Sequence, residues 1–311
     1  MFSRQCGRFF HFNNNLLWSL INKSDLSKLR KKTGYTFANC KKALEANNHN
    51  VELAEKWLQE QAQALGWAKA TKLEGRSTLQ GLIGVSLKGD TALMVEANCE
   101  TDFVARNRKF EALVELAVQS CSAFAQSLNP MDTKVRIFML DSAQMRCITA
   151  NDGKPLVDHV AMAISSLGEN LNLRRAIFLK SSGTTQLAGF THPSPKNPDP
   201  ATLMGKYGAL VSYRASSHDS QIQEVAKQIC QHIVGMNPVK IGVSGTDEPV
   251  ENKDEETVML HQDFLLDPSV TVGQLLTDMG IEIVDFVRFE CGEPLNAEEE
   301  NEPVKVSSQS C

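Results

Sequence analysis

Two periods alternate along this chain. Over 82–87 the apolar residues Ile83, Val85 and Leu87 share one side, and Lys88-Gly89-Asp90 supplies a turn, which predicts the first strand of a hairpin. The return strand, 92–97, puts Leu93, Val95 and Ala97 on one side and Met94, Glu96 and Asn98 on the other. After Thr101 the period becomes helical, with Phe110, Leu113, Val114, Ala117 and Cys121 in one stripe. Thr101-Asp102 stands at the change of period, where a hydroxyl or carboxylate can accept from the free N–H groups of a new helix. Phe103 therefore falls in a first helical turn, at the end of a strand. It lies seven residues before Phe110, and periodicity alone favours burial in the same stripe.

Upstream, three short helical patterns predict a three-helix bundle over 24–68. Leu26 and Leu29 mark the first, which ends at Thr33-Gly34. Thr36 can cap the second, with Phe37, Cys40 and Leu44 on one face. Asn50 can cap the third, with Val51, Ala54 and Leu58 in one row and Leu53 and Trp57 beside it. A bundle of about forty residues is near the lower limit for independent stability. A polar, helical linker follows over 69–76, and its Lys69, Lys72 and Arg76 read as a solvated face.

Downstream, 135–140 is an apolar run whose period does not decide between strand and helix. A helix over 156–167 runs to Gly168. Strands are expected over 173–180, 186–192, 205–213 and 283–290, with a short helix over 271–279. Ile222, Val225, Ala226, Ile229 and Ile233 form the stripe of another amphipathic helix. The order strand, strand, helix in each half predicts an α+β core of short antiparallel sheets covered by helices. Its two subdomains are 77–168 and 169–295. The acidic stretch 247–256 reads as a solvated loop, and 296–311, with Glu298-Glu299-Glu300, as an acidic disordered tail.

Composition narrows the function. With 311 residues, 42% of them hydrophobic, the chain can bury a core in two or three domains. Its net charge of −5 speaks against a phosphate-neutralising face, so no direct nucleic-acid contact is expected. No apolar run approaches the ~18 residues of a transmembrane helix, so no membrane partner is expected either. Residues 1–23 carry only Arg4, Arg8 and Lys23 as charges, among Phe, Leu, Trp, Asn and Ser. That is the composition of a mitochondrial transit peptide and predicts the matrix as destination. None of the eight cysteines forms a C-x-x-C pair or sits beside a His at metal-ligand spacing, which argues against structural zinc. Single scattered cysteines read as small buried hydrophobes in a reducing compartment. The chain contains no G-x-x-x-x-G-K-[ST], G-x-S-x-G or H-E-x-x-H. Cys99 has no nearby His to make it a thiolate nucleophile. The expectation is no catalytic residue, no metal and no cofactor.

The ten residues from Asn98 to Asn107, Asn-Cys-Glu-Thr-Asp-Phe-Val-Ala-Arg-Asn, resemble the signature of the translation elongation factor Ts family. Residues 29–34 and 39–44 are similar to the ubiquitin-associated-like module that opens its members. Residues 167–170, 232–238 and 287–293 are similar to its core segments, so the resemblance spans most of 25–293. It implies a guanine-nucleotide exchange factor, without catalytic chemistry of its own, for mitochondrial elongation factor Tu in its GDP-bound and nucleotide-free states. It also implies that Thr101, Asp102, Phe103 and Val104 enter that GTPase and disturb its Mg²⁺ site. Phe37 and Ala38 stand where the family often places two methionines against the GTPase domain; the other reading of Phe37 is core of the small bundle. His192, in Phe190-Thr191-His192-Pro193, matches the His of a family turn whose Gly is replaced here by the Pro-rich insert 193–200. No long charged heptad run appears, so the protruding coiled coil of bacterial members is expected to be absent. Because fold does not fix function, a ubiquitin-binding adaptor acting through the helical module is the alternative.

Overall fold

The computed structural model describes residues 25–33, 35, 37–127, 135–194, 202–217, 219–243 and 245–295. The expected transit peptide, the Gly34 turn, the Thr36 cap, most of the Pro-rich insert and the acidic tail lie outside the described residues. Three helices open the fold: α1 (25–33), α2 (Phe37–Ala46) and α3 (Val51–Leu73). Asn50 caps α3 by accepting from the Glu52 and Leu53 amides. Leu29, Cys40, Ala43, Leu44, Ala54 and Leu58 form the module's buried core. Phe37 is not part of it. Its ring is 52% exposed and carries the Arg30 guanidinium 3.9 Å from its centroid. Leu53 also faces solvent.

Helix α3 does not stop where the module ends. Rich in Ala, Leu, Gln, Glu and Lys, which favour helix, it continues through most of the stretch read as a linker. Ala70 and Leu73 pack into the main core, and Lys69 donates to the Ser165 carbonyl rather than only to water.

Strands β1 (Gln80–Lys88) and β2 (Thr91–Cys99) form the expected hairpin, with Lys88 opposite Thr91 at its turn. They belong to a five-stranded sheet in the order β3-β4-β2-β1-β6, with β3 at Val135–Asp141, β4 at Leu171–Ser181 and β6 at Leu203–Gly205. A second sheet has the order β10-β7-β5: Ile281–Glu290, Tyr207–Ala215 and Gln186–His192. The undecided run over 135–140 is thus an edge strand. Strand β4, read from sequence as opening the second half, instead lies between β3 and β2 in the first sheet, paired antiparallel to both. A small ribbon, β8 (Asp263–Phe264) with β9 (Asp267–Thr271), completes the strands among the described residues.

Three apolar layers hold these parts together. The first lies between the large sheet and its helices α5 (Arg108–Ser127), α6 (Ser142–Cys147) and α7 (Leu156–Leu167), and contains Leu93, Val95, Phe110, Val114, Leu156 and Ile164. The second covers the small sheet with α8 (Ser220–Met236) and α9 (Val272–Met279), and contains Val211, Ile229 and Ile233. The third lies between the sheets, where Ile83, Val85, Met94, Ile177 and Leu210 meet. Gly208 lets the sheets close: a Cβ there would sit 2.6 Å from Met94 Sδ and 2.7 Å from Ile83 Cγ2. Strand β2 is central and covered on both faces, so all nine of its residues are buried.

Two further expectations change. The long helix after Thr101 is two helices, α4 (Asp102–Ala105) and α5, because Asn107 breaks the run and caps α5 through the Lys109 amide. In the acidic stretch, Glu256 is buried, and its carboxylate accepts from the Val250 and Val258 amides. Cys40, Cys99, Cys121 and Cys230 are buried free thiols, as expected; Cys147 departs from that reading by being disulfide-bonded.

Candidate functional site

The site grows out of the buried end of β2. There Glu96 and Asn98, which alternation sends to the face away from α5, are fully buried. A buried carboxylate must be paired to remain charged. Glu96 receives Arg175 Nε at 2.7 Å, Arg174 Nη1 at 2.9 Å and the Gly292 amide at 2.8 Å. Burial alone would raise its pKa, but Arg175, the Gly292 N–H and Arg174 outweigh that and hold the carboxyl below its ordinary value. Arg175 also bonds Glu293 at 2.6 Å and lies 3.7 Å over the Phe289 ring. This cluster ties β2, β4 and the end of β10 together beneath the loop.

The next turn is held from the other side. Glu100 accepts the Asn170 amide at 2.7 Å, and Asn170 Nδ2 reaches the Arg76 carbonyl at 3.1 Å. Thr101 donates its amide to Glu169 Oε2 at 3.0 Å and its hydroxyl to Glu169 Oε1 at 2.7 Å. The same hydroxyl oxygen accepts from the Val104 amide, so Thr101 is the N-cap that its position predicted. The Cys99 thiol donates to the Thr101 carbonyl. Burial, and next the Glu169 carboxylate, push this thiol up to about 12; near neutral pH it is a protonated thiol, not a nucleophile.

On this pedestal α4 makes a single turn. Val104 is buried at 8% exposure and anchors the turn in the first core layer. Asp102 is partly exposed and bonds Arg106 Nη2 at 2.9 Å. Phe103 points away and is 83% exposed, more than any other large apolar side chain among the described residues. The break at Asn107 explains why it leaves the stripe of Phe110: the seven-residue spacing counts only along an uninterrupted helix. The reading of Phe103 as core is therefore corrected.

The other candidate residues stand on separate elements. Phe37 and Ala38 are exposed at the start of α2, so the core reading of Phe37 is corrected too. His192 is exposed at the end of β5, its ring 6.4 Å from that of Tyr207. Sequence reasoning missed Glu169, Asn170, Arg76 and the Glu96 cluster as supports of the tip. Residues 167–170 and 287–293 drew notice only as family-like segments, and nothing local says that they meet 96–101. Among the described residues, no helix is long and apolar enough to cross a membrane.

What the pedestal holds out is a lone aromatic, Phe103, on a turn whose base is tied down by Glu169 and Asn170. Residues 7–68 match the family described as "Elongation factor Ts, mitochondrial, N-terminal", and residues 100–256 match "Elongation factor TS". The mitochondrial elongation factor Ts of Aedes aegypti is 49% identical over 286 residues, covering 91% of this chain and 92% of that protein. That of Drosophila melanogaster is 50% identical over 276 residues, covering 88% and 86%, and that of Homo sapiens 42% over 293, covering 93% and 89%. With a match across the Phe103 tip and relatives aligned along almost its whole length, this chain belongs to the elongation factor Ts family.

Proposed function

We propose that this chain is a guanine-nucleotide exchange factor for mitochondrial elongation factor Tu, acting in translation elongation in the matrix and performing no chemistry of its own. The observation that carries the reading is Phe103, 83% exposed on a turn whose base is fixed by Glu169 and Asn170. An exposed Phe on a flexible loop would lose part of its binding energy to ordering; on this pedestal the ordering is done beforehand. In the proposed mechanism Thr101 to Val104 enter the GTPase beside the loops that hold its Mg²⁺. Mg²⁺ demands near-ideal octahedral oxygens, so a small displacement by Phe103 and Asp102 weakens it, and GDP leaves faster. Factor and GDP then weaken each other by the same factor. The exposed Phe37 and Ala38 grip the GTPase domain, and the small-sheet side, where His192 ends β5, holds another part of the partner. The ubiquitin-binding alternative gains no support from the family match over residues 7–68.

The test is release of labelled GDP from mitochondrial elongation factor Tu, with the parent chain and with Phe103→Ala. The parent accelerates release, and the variant loses most of that acceleration. Its melting temperature stays unchanged, because an exposed side chain leaves no cavity when truncated. A parent that leaves the release rate unaltered sinks the exchange reading.

A further inference from the structure

Helix α7 is gripped from two directions by the parts the proposed function needs. On one side lies α3, the helix that begins in the module. Gly66 of α3 is buried against α7: a Cβ built there would overlap the Ala161 carbonyl oxygen and lie 2.5 Å from its carbonyl carbon. Both atoms are backbone, so no side-chain adjustment could make room. Close by, Lys69 Nζ donates to the Ser165 carbonyl at 3.1 Å. Ala70 and Leu73 of α3 share the first core layer with Val160 and Ile164 of α7. On the other side, Lys109 of α5 bonds Ser166 Oγ at 2.6 Å. Helix α7 closes at Gly168 in the left-handed conformation, and the next residue, Glu169, takes both donors of Thr101.

We propose that α7 is the common mount that sets the span between the module's exposed Phe37 face and the Phe103 tip, and that Gly66 is its positioning residue. The inference rests on the exchange reading, in which both surfaces engage one partner at once. When two contacts are rigidly joined, the second binds at an effective concentration fixed by the geometry of the link. Here the link is α3 itself. From Gly66 back to Val51 the helix spans about 22 Å at 1.5 Å per residue, so a tilt of roughly 10° at the seam moves the module by roughly 4 Å. That is enough to take Phe37 out of register while Phe103 still docks. Gly is a poor helix former at the middle of α3, and Ala would suit the isolated helix better. Its presence there is explained by the seam.

Gly66→Ala separates the two effects, because it strengthens the helix and forces the seam apart. The first measurement is a distance distribution between probes at Glu45 on α2 and Glu115 on α5 in the free, full-length chain. The parent gives one narrow population; Gly66→Ala shifts or broadens it, and Lys69→Ala, which adds no bulk, does so more weakly. The second is GDP release as a function of partner concentration. Gly66→Ala raises KM about tenfold and leaves kcat within about twofold, the signature of lost binding rather than of a lost wedge. Unchanged distances overturn the proposal. So does an unchanged KM in a variant whose distances have moved, or a fall in kcat at constant KM, which would assign the effect to the tip. If the parent fails to accelerate GDP release, it is the exchange reading that falls, and the distance distribution alone decides whether α7 is the mount.

Discussion

The amide and hydroxyl donors of Thr101 share one acceptor, Glu169, which lies 68 residues further along the chain. Truncating Glu169 leaves two donors to water or to nothing, at a cost of about 1–3 kcal/mol where they stay buried. Thr101 is only half-buried, so the loss should appear as local opening more than as global unfolding. Glu169→Ala is expected to speed hydrogen exchange at the Val104, Ala105 and Arg106 amides, which bond back to Thr101 and Asp102, by roughly tenfold, with a small fall in melting temperature and, on the exchange reading, a marked fall in accelerated GDP release. Glu169→Gln, which keeps an acceptor, should lie between. Unaltered protection in the Ala variant would show that the turn holds its shape without Glu169. The Thr101 cap was legible in the sequence, since a hydroxyl just before a helical stripe has a local reason to be there. Glu169 was not, because donor and acceptor are joined by the fold alone. Phe103 was misread by periodicity for a related reason: the Asn107 break is a single-residue event that a heptad count passes over.

Among the elements, β2 shows how far pattern reading reaches. Its alternation was legible and places Leu93, Val95 and Ala97 in the helix-facing layer and Met94 between the sheets. Alternation puts Glu96 and Asn98 on the side of Met94 but gives no reason for burying them, yet both are buried, because β4 and the segment after β10 bring Arg174, Arg175 and Glu293 to cover them. Strand order is set by pairing across the sheet, so chain order could not reveal that β4 sits beside β2. The energetics follow from the burial. Removing one member of a buried ion cluster strands the others, at about 3–5 kcal/mol, so Glu96→Gln should lower the unfolding free energy by that order. The pH dependence has a definite sign. The folded-state pKa of Glu96 lies below its ordinary value of 4.5, so its contribution is complete above that value and is lost as pH falls through the lower, folded one. The gap in unfolding free energy between parent and Glu96→Gln should therefore be widest near neutral pH and close on acidification. A gap that widens with acid would mean that Glu96 is protonated in the folded chain at neutral pH.

At the scale of the whole molecule, exchange requires the factor to prefer nucleotide-free partner over GDP-bound partner, and only contacts that differ between those two states create the preference. Burying one Phe contributes about 1.5–3 kcal/mol, roughly one to two decades in an equilibrium constant. On the exchange reading Phe103 is the contact that GDP and Mg²⁺ oppose, so Phe103→Ala should reduce the ratio of the two affinities by about 10- to 100-fold. Phe37 stands on α2, with Arg30 stacked on its ring, on a module set apart from the tip by α3 and α7. Its contact should be made whether or not GDP is bound. Phe37→Ala should then weaken both complexes alike and leave their ratio where it was, the mark of uniform binding. Titrating each variant against GDP-loaded and nucleotide-free elongation factor Tu gives both affinities and hence the ratio. Equal loss of ratio in the two variants would mean that the module reaches the nucleotide site as directly as the tip does, and the division of labour between grip and wedge would have to be abandoned.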